Sequence, residues 1–214
     1  MDPLRQIAEI GGPVVLILLA VSVVTMATII YKIWQFTSAG VGRHTALQRA
    51  VTAWDEGDRA EARAALGRSS SYLAPVIDMA FSSIPADAQR LAAEAETRFA
   101  KLESGFRLLD SVAQLAPLLG LFGTVLGMIE AFQALQDAGA QVDPSILAGG
   151  IWVALLTTAV GLAVAMPTAL VLSWFEGRMD AERVTAERAL AAVLHPRGAR
   201  LAGHMADEAA PQGA

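Results

Sequence analysis

Three stretches of the chain carry no charged residue over a length that can cross a bilayer: Ile10–Tyr31, Ser111–Ile129 and Pro144–Phe175. A spanning helix needs about 20 apolar residues at about 1.5 Å rise each, so all three predict transmembrane helices. The third is longer than a ~30 Å hydrocarbon core requires, so it must tilt, kink at Pro167 or project from the membrane. Between the first and second runs, residues 32–110 are rich in Ala, Glu and Arg, with breaks at Gly57, Gly67 to Ser71 and Ile84-Pro85. That pattern predicts short helices packed together. From Asp87 onward, Leu91, Phe99, Leu102, Phe106 and Leu109 keep helical spacing, with Glu94/Arg98 and Glu103/Arg107 as i,i+4 pairs of the favourable orientation. No breaker is read before the second span, so Asp87–Ile129 is expected as one rod.

The domain boundaries follow: an N-terminal flank 1–9, spans 10–31, 111–129 and 144–175, a helical loop 32–110, a short loop 130–143, a charged helical extension 176–195 and a tail 196–214. The tail is Ala-, Gly- and Pro-rich and is expected to be disordered. The short loop holds Glu130, Asp137 and Asp143 but no Lys or Arg, whereas Lys32, Lys101, Arg107, Arg178 and Arg183 flank the other connections. The positive-inside rule then places the long loop and the tail in the cytoplasm, and the N-terminus and the acidic loop in the periplasm. The fold class is an all-α membrane protein with three transmembrane helices, the second and third extended into a cytoplasmic helical bundle. The first run exceeds a signal-peptide core and its flank holds two acids and one base, which favours a retained helix over a cleaved leader.

Composition narrows the function. With 54% hydrophobic and only 17% charged residues, the chain is too apolar for an ordinary soluble domain of 214 residues. A net charge of −5 and the lack of a basic run exclude a nucleic-acid footprint. There is no cysteine, hence no disulfide, thiolate zinc site or iron–sulfur cluster. His44, His195 and His204 are scattered and read as solvated surface residues, so neither metal nor cofactor is expected. No nucleophile stands beside a base and no phosphate loop is present, which argues against an enzyme.

The membrane runs hold the remaining chemistry. Gly120, Thr124 and Gly127 lie at i, i+4 and i+7, and Gly123 and Gly127 form a small-xxx-small pair. Ala154, Thr158, Gly161 and Ala165 make a matching stripe, with Thr157 as a second hydroxyl. Two readings are open: the threonines line a narrow passage, holding a water or a carboxyl group, or each bonds back to a carbonyl one turn earlier. No Asp, Glu, Lys, Arg or His occurs inside any span. Proton carriers use such groups at membrane depth, so a proton-driven role needs a titrating carboxylate from a partner helix.

The runs Pro117-Leu-Leu-Gly-Leu-Phe-Gly-Thr-Val-Leu-Gly127 and Ala154-Leu-Leu-Thr-Thr-Ala-Val-Gly-Leu-Ala-Val-Ala-Met-Pro167 resemble the second- and third-helix motifs of the MotA/TolQ/ExbB proton channel family, most closely its ExbB branch. The resemblance implies a homopentameric ring in the bacterial inner membrane around two copies of an ExbD/TolR-like single-helix partner, which brings the aspartate. It implies Thr124, Thr158 and Thr157 as proton-path lining, Gly120, Gly123, Gly127 and Gly161 as helix-packing and ring-interface residues, and Pro117 and Pro167 as helix-shaping residues. The work would pass to a TonB-like protein that drives outer-membrane uptake. A TolQ-like subunit of the Tol-Pal envelope system has the same physics, and a non-transporting membrane scaffold is the alternative from another class. Val153 stands where ExbB and TolQ proteins usually carry a glutamate, a departure shared by MotA-like relatives.

Overall fold

The computed structural model describes residues 3–82, 87–137 and 144–197, with side chains from residue 12 onward except Ile146. The described residues form seven helices and no strand: α1 Pro3–Ser38, α2 Thr45–Glu56, α3 Arg59–Gly67, α4 Ala74–Ser82, α5 Ala88–Glu103, α6 Phe106–Asp137 and α7 Pro144–Leu194. Three are long and apolar enough to cross a membrane, over Gly12–Ser38, Phe106–Asp137 and Leu147–Leu194. The chain divides into two compact units, one of Met1–Tyr31 with Gly105–Phe175 and the other of Lys32–Ser104 with Glu176–Ala214.

In the first unit, Gly12 breaks α1 with φ 65° and ψ −174° directly before Pro13. Proline disfavours a helical residue before it, and only glycine takes that positive φ without strain, so the pair restarts the helix at Pro13. Val14 and Leu18 of α1 then bury against Ala116 of α6 and Ala165 of α7, with Val112, Leu119, Val160 and Val164 around them. Elsewhere the long helices expose apolar side chains, including Leu118, Phe122, Trp152, Leu155 and Leu170. Apolar surface of this extent needs lipid or another chain against it. α7 runs through Pro167 without interruption for 51 residues, about 77 Å at 1.5 Å per residue. Of the three outcomes for the third span, its length therefore carries it far beyond what a bilayer core covers.

The second unit is a bundle of short helices around Leu47, Trp54, Ala62, Leu66, Ile77, Phe81, Leu91 and Phe99. Trp54 and Phe81 stack at 3.9 Å, and the Trp54 indole donates to the Val193 carbonyl at 3.2 Å, which ties α2 to the end of α7. α7 supplies Met179, Glu182, Ala186, Leu190 and Val193, buried at three- and four-residue spacing. Asp58 and Asp87 cap α3 and α5 by accepting from the amides two and three residues on. Gly57 closes α2 with φ 95°, as its expected break requires.

Two expectations fail here. Asp87–Ile129 is not one rod, because Ser104 is extended at φ −53°, ψ 128° and Gly105 takes φ 92°, ending α5 and restarting the chain as α6. Glu103 therefore does not share a helix with Arg107. It instead accepts from the two terminal guanidinium nitrogens of Arg183, at 2.6 and 3.1 Å. The Glu94–Arg98 pair forms as expected, at 3.0 Å. The end of α5 has polar support from α1: Lys32, with no exposed surface, donates to the Leu102 carbonyl at 2.6 Å, and Gln35 donates to the Lys101 carbonyl at 3.2 Å. These are among the carbonyls a helix end leaves unpaired, and a cation suits that end of the dipole. The Ile84-Pro85 break, Asp143, His204 and most of the tail lie outside the described residues.

Candidate functional site

Small residues bring α6 and α7 together as an antiparallel pair. The buried face of α6 is Ala116, Gly120, Gly123, Gly127 and Ala131, a repeat of four, three, four and four. That repeat averages 3.75 residues, close to the helical turn of about 3.6, so the five residues share one side of α6. Numbers rise along α6 as they fall along α7: Ala116 and Gly120 meet Gly161, Gly123 meets Thr157, Gly127 meets Ala154 and Ala131 meets Gly150. The approach is close enough to exclude side chains. A methyl group on Gly161 would fall 2.6 Å from the Ala116 carbonyl oxygen, and one on Gly120 would fall 2.9 Å from the Thr157 carbonyl oxygen. At Gly127 the same group would meet Ala154 at 3.4 Å, an ordinary contact. The four glycines singled out in the sequence thus pack two helices of one chain.

The threonines sit differently from one another. Thr157 is buried, with its hydroxyl 2.7 Å from the Ala154 carbonyl and 3.2 Å from the Gly120 carbonyl on α6. Thr158 is half-buried and reaches the same Gly120 oxygen at 3.3 Å. Thr124 is half-buried at the edge of the glycine face, not in its centre, and donates back to the Leu121 carbonyl at 2.6 Å. So Thr157 and Thr158 cross the seam, whereas Thr124 takes the local bond. Pro117 is half-buried and Pro167 exposed, each inside a continuous helix. Val153 is half-buried beside exposed Trp152.

The reading of His44 as a solvated residue is overturned. It is buried, its Nε2 2.7 Å from the Glu182 carboxylate and its Nδ1 3.3 Å from the Ser71 hydroxyl. Burial was affordable because each ring nitrogen finds a partner. The sequence signal that was available is the phase of Glu182, which falls three residues after Met179 and four before Ala186 on the buried stripe of α7. His195 is exposed. Among the described residues no three His, Asp or Glu side chains converge as metal ligands.

The profile of the MotA/TolQ/ExbB proton channel family matches residues 56–188, more than half of the chain. The chain belongs to that family. It is 46% identical over 74 residues to a biopolymer transport protein ExbB homolog of Methanothermobacter thermautotrophicus, covering 35% of this chain and 25% of the relative. It is 47% identical over 60 residues to biopolymer transport protein exbB1 of Vibrio cholerae, covering 28% and 26%. It is also 41% identical over 73 residues to the Tol-Pal system protein TolQ of Haemophilus influenzae, covering 34% and 32%. The matched stretch thus spans a quarter to a third of these relatives. What they share with this chain is the MotA/TolQ/ExbB proton channel family, and three of this chain's helices are long and apolar enough to cross a membrane.

Proposed function

We propose that the chain is an ExbB-like ring subunit of an inner-membrane motor driven by the proton-motive force. Five copies surround the membrane helices of two ExbD/TolR-like partners, and the motion passes to a TonB-like protein that drives outer-membrane uptake. The N-terminus and the 130–143 loop lie in the periplasm, and the 32–110 and C-terminal segments lie in the cytoplasm, the orientation favoured by the placement of Lys and Arg.

One observation carries this reading. The helices that meet along the glycine seam contain no ionisable side chain between Ser111 and Ile129 or between Pro144 and Phe175, yet present hydroxyls there. A proton relay at membrane depth needs a titrating group, so the partner's aspartate supplies it, and Thr158 and Thr124, both half-buried, flank it. Thr157, locked into the seam, keeps its neighbour Thr158 in place. With Val153 at the usual glutamate position, no ring carboxylate takes part in the relay. The glycines then act first inside the protomer, and the exposed faces of α6 and α7 form the contacts between copies.

The test is proton flux into liposomes. This chain alone should conduct nothing above background, and the chain with its partner should conduct. Thr158→Val should lower that flux with assembly intact, and Thr158→Ser should restore it. Robust flux from the chain alone, or unchanged flux in Thr158→Val, would sink the reading. A TolQ-like role is the second reading, supported by the Tol-Pal relatives at 41% and 36% identity. Neighbouring reading frames separate the two, since a TonB-like gene favours uptake and a Pal/TolB-like set favours envelope maintenance.

A further inference from the structure

One carboxylate in the unit of Lys32–Ser104 and Glu176–Ala214 gathers partners from three separate stretches of chain. Glu182 of α7 is 2% exposed. Its Oε2 accepts from His44 Nε2 at 2.7 Å and from the Tyr72 hydroxyl at 2.9 Å, and its Oε1 lies 3.4 Å from the Arg178 guanidinium. His44 ends the connection between α1 and α2, and Tyr72 belongs to the connection between α3 and α4. On the far side of the ring, His44 Nδ1 faces the Ser71 hydroxyl at 3.3 Å, and that oxygen also accepts from the Leu73 amide.

Both charge states of the imidazole find partners in this setting. A neutral ring donates Nε2–H to Glu182 and accepts the Ser71 O–H at Nδ1; an imidazolium donates at both nitrogens. The difference is electrostatic: the carboxylate is ionised in both states, and an imidazolium adds a charge–charge attraction to it in a site shielded from water, which the neutral ring lacks. The surrounding backbone has no slack to hide that difference. Gly40 at φ 69° and Gly42 at φ 82° shape the turn before His44; a methyl group on Gly40 would sit 2.5 Å from the Ser70 carbonyl oxygen, and one on Gly42 would run into the Arg178 guanidinium.

We propose that His44 and Glu182 form a proton-controlled clasp that seats the Gly40–His44 turn on α7, tighter when the ring is charged and looser when it is neutral. Histidine is the side chain that ordinarily changes charge between about pH 5 and 8. The other charged or titratable groups that face it come from several elements. These are Arg178 and Arg183 on α7, Arg43 beside it in the chain, Arg98 of α5, which donates to the Tyr72 carbonyl at 3.2 Å, and the Tyr72 phenol. Burial first, and then the Glu182 charge, push the Tyr72 hydroxyl far above the usual phenol range, so it stays protonated. Burial pushes Glu182 up, but the hydrogen bonds from His44 and Tyr72 and the Arg178 charge outweigh it and hold the carboxyl below its usual range. For a proton-driven subunit the clasp would report the pH around this bundle.

Hydrogen exchange of the full-length protein in nanodiscs, corrected for the intrinsic rate from about pH 5.5 to about 8.5, tests this. Protection of residues 39–47 and 176–190 should fall several-fold as pH rises in the wild type and be flat in His44→Gln and Glu182→Gln. Tyr72→Phe removes a structural bond only, so it should lower protection at every pH and keep the slope. A wild-type profile without slope, or the wild-type slope retained in His44→Gln, overturns the clasp. Should His44→Gln not fold, ring nitrogen shifts of His44 in the wild type provide the readout: they must move together with exchange, and a ring whose charge is constant across that range overturns the proposal.

Discussion

Thr158 on α7 places its hydroxyl 3.3 Å from the carbonyl oxygen of Gly120 on α6, and Thr157 approaches the same oxygen at 3.2 Å. Successive helix residues point about 100° apart, so one oxygen can take both only if it sits over the seam between them. Thr157 is the more buried of the two, and losing its hydroxyl strips a cross-helix bond from a place without water. Thr157→Val is expected to cost about 0.6–1.7 kcal/mol, the range for interhelical bonds in membranes, and more than Thr158→Val. Reversible unfolding in detergent measures both; a larger loss at Thr158 would contradict the burial order.

The glycine seam predicts a contrast between two identical chemical changes. Gly161→Ala drives a methyl group against the Ala116 backbone, which no rotamer change relieves, and should destabilise by about 1–3 kcal/mol. Gly127→Ala meets Ala154 at ordinary distance and gains helix propensity, so it should be neutral or mildly stabilising. Thermal melting and detergent sizing of the two variants decide it. Equal damage from both would mean that Gly127 packs against something other than this chain.

Glu182 should give the bundle a defined acid sensitivity. Its folded-state pKa is depressed, so the stability it contributes is present above its unfolded value of about 4.3 and is lost as pH falls through the lower folded value. Glu182→Gln should therefore be less stable than wild type at neutral pH, with the gap closing in acid. Tyr72 has the opposite sign. Its raised pKa contributes stability below about pH 10 that is lost at higher pH, so Tyr72→Phe should flatten the alkaline limb. Melting temperatures across the pH range check both slopes.

Lys32 holds the last turn of α5 from α1. Lys32→Met fills similar volume but leaves the Leu102 carbonyl without its donor, at a cost of about 1–3 kcal/mol for a buried acceptor. The loss should appear first as faster amide exchange near Lys101–Glu103. Unchanged protection there would show that Gln35 alone supports the end of the helix.

The sequence made the helices legible where one rule dominated. Charge-free runs marked the three helices that are long and apolar enough to cross a membrane, and small residues at three- and four-residue spacing marked the α6–α7 contact. Local chemistry was less visible where two signals competed. Ser104-Gly105 looked harmless inside a good apolar period, yet one glycine at positive φ sufficed to end α5 and redirect Glu103 to Arg183. His44 lacked a sequence neighbour at ligand spacing because its partners lie 27 and 138 residues away. Thr124 shared its helical phase with the glycines on paper, but the buried line steps from Gly120 to Gly123 to Gly127 and leaves Thr124 at its edge.

A contact made of glycine, alanine and threonine has almost no torsions to rearrange and no long side chains to compress. Ordinary cores absorb a small displacement by hopping rotamers; the line from Ala116 to Ala131 offers its partner helix backbone and methyl groups alone. Any push applied to one of these two helices must reach the other nearly undiminished, which makes the hairpin a single stiff part.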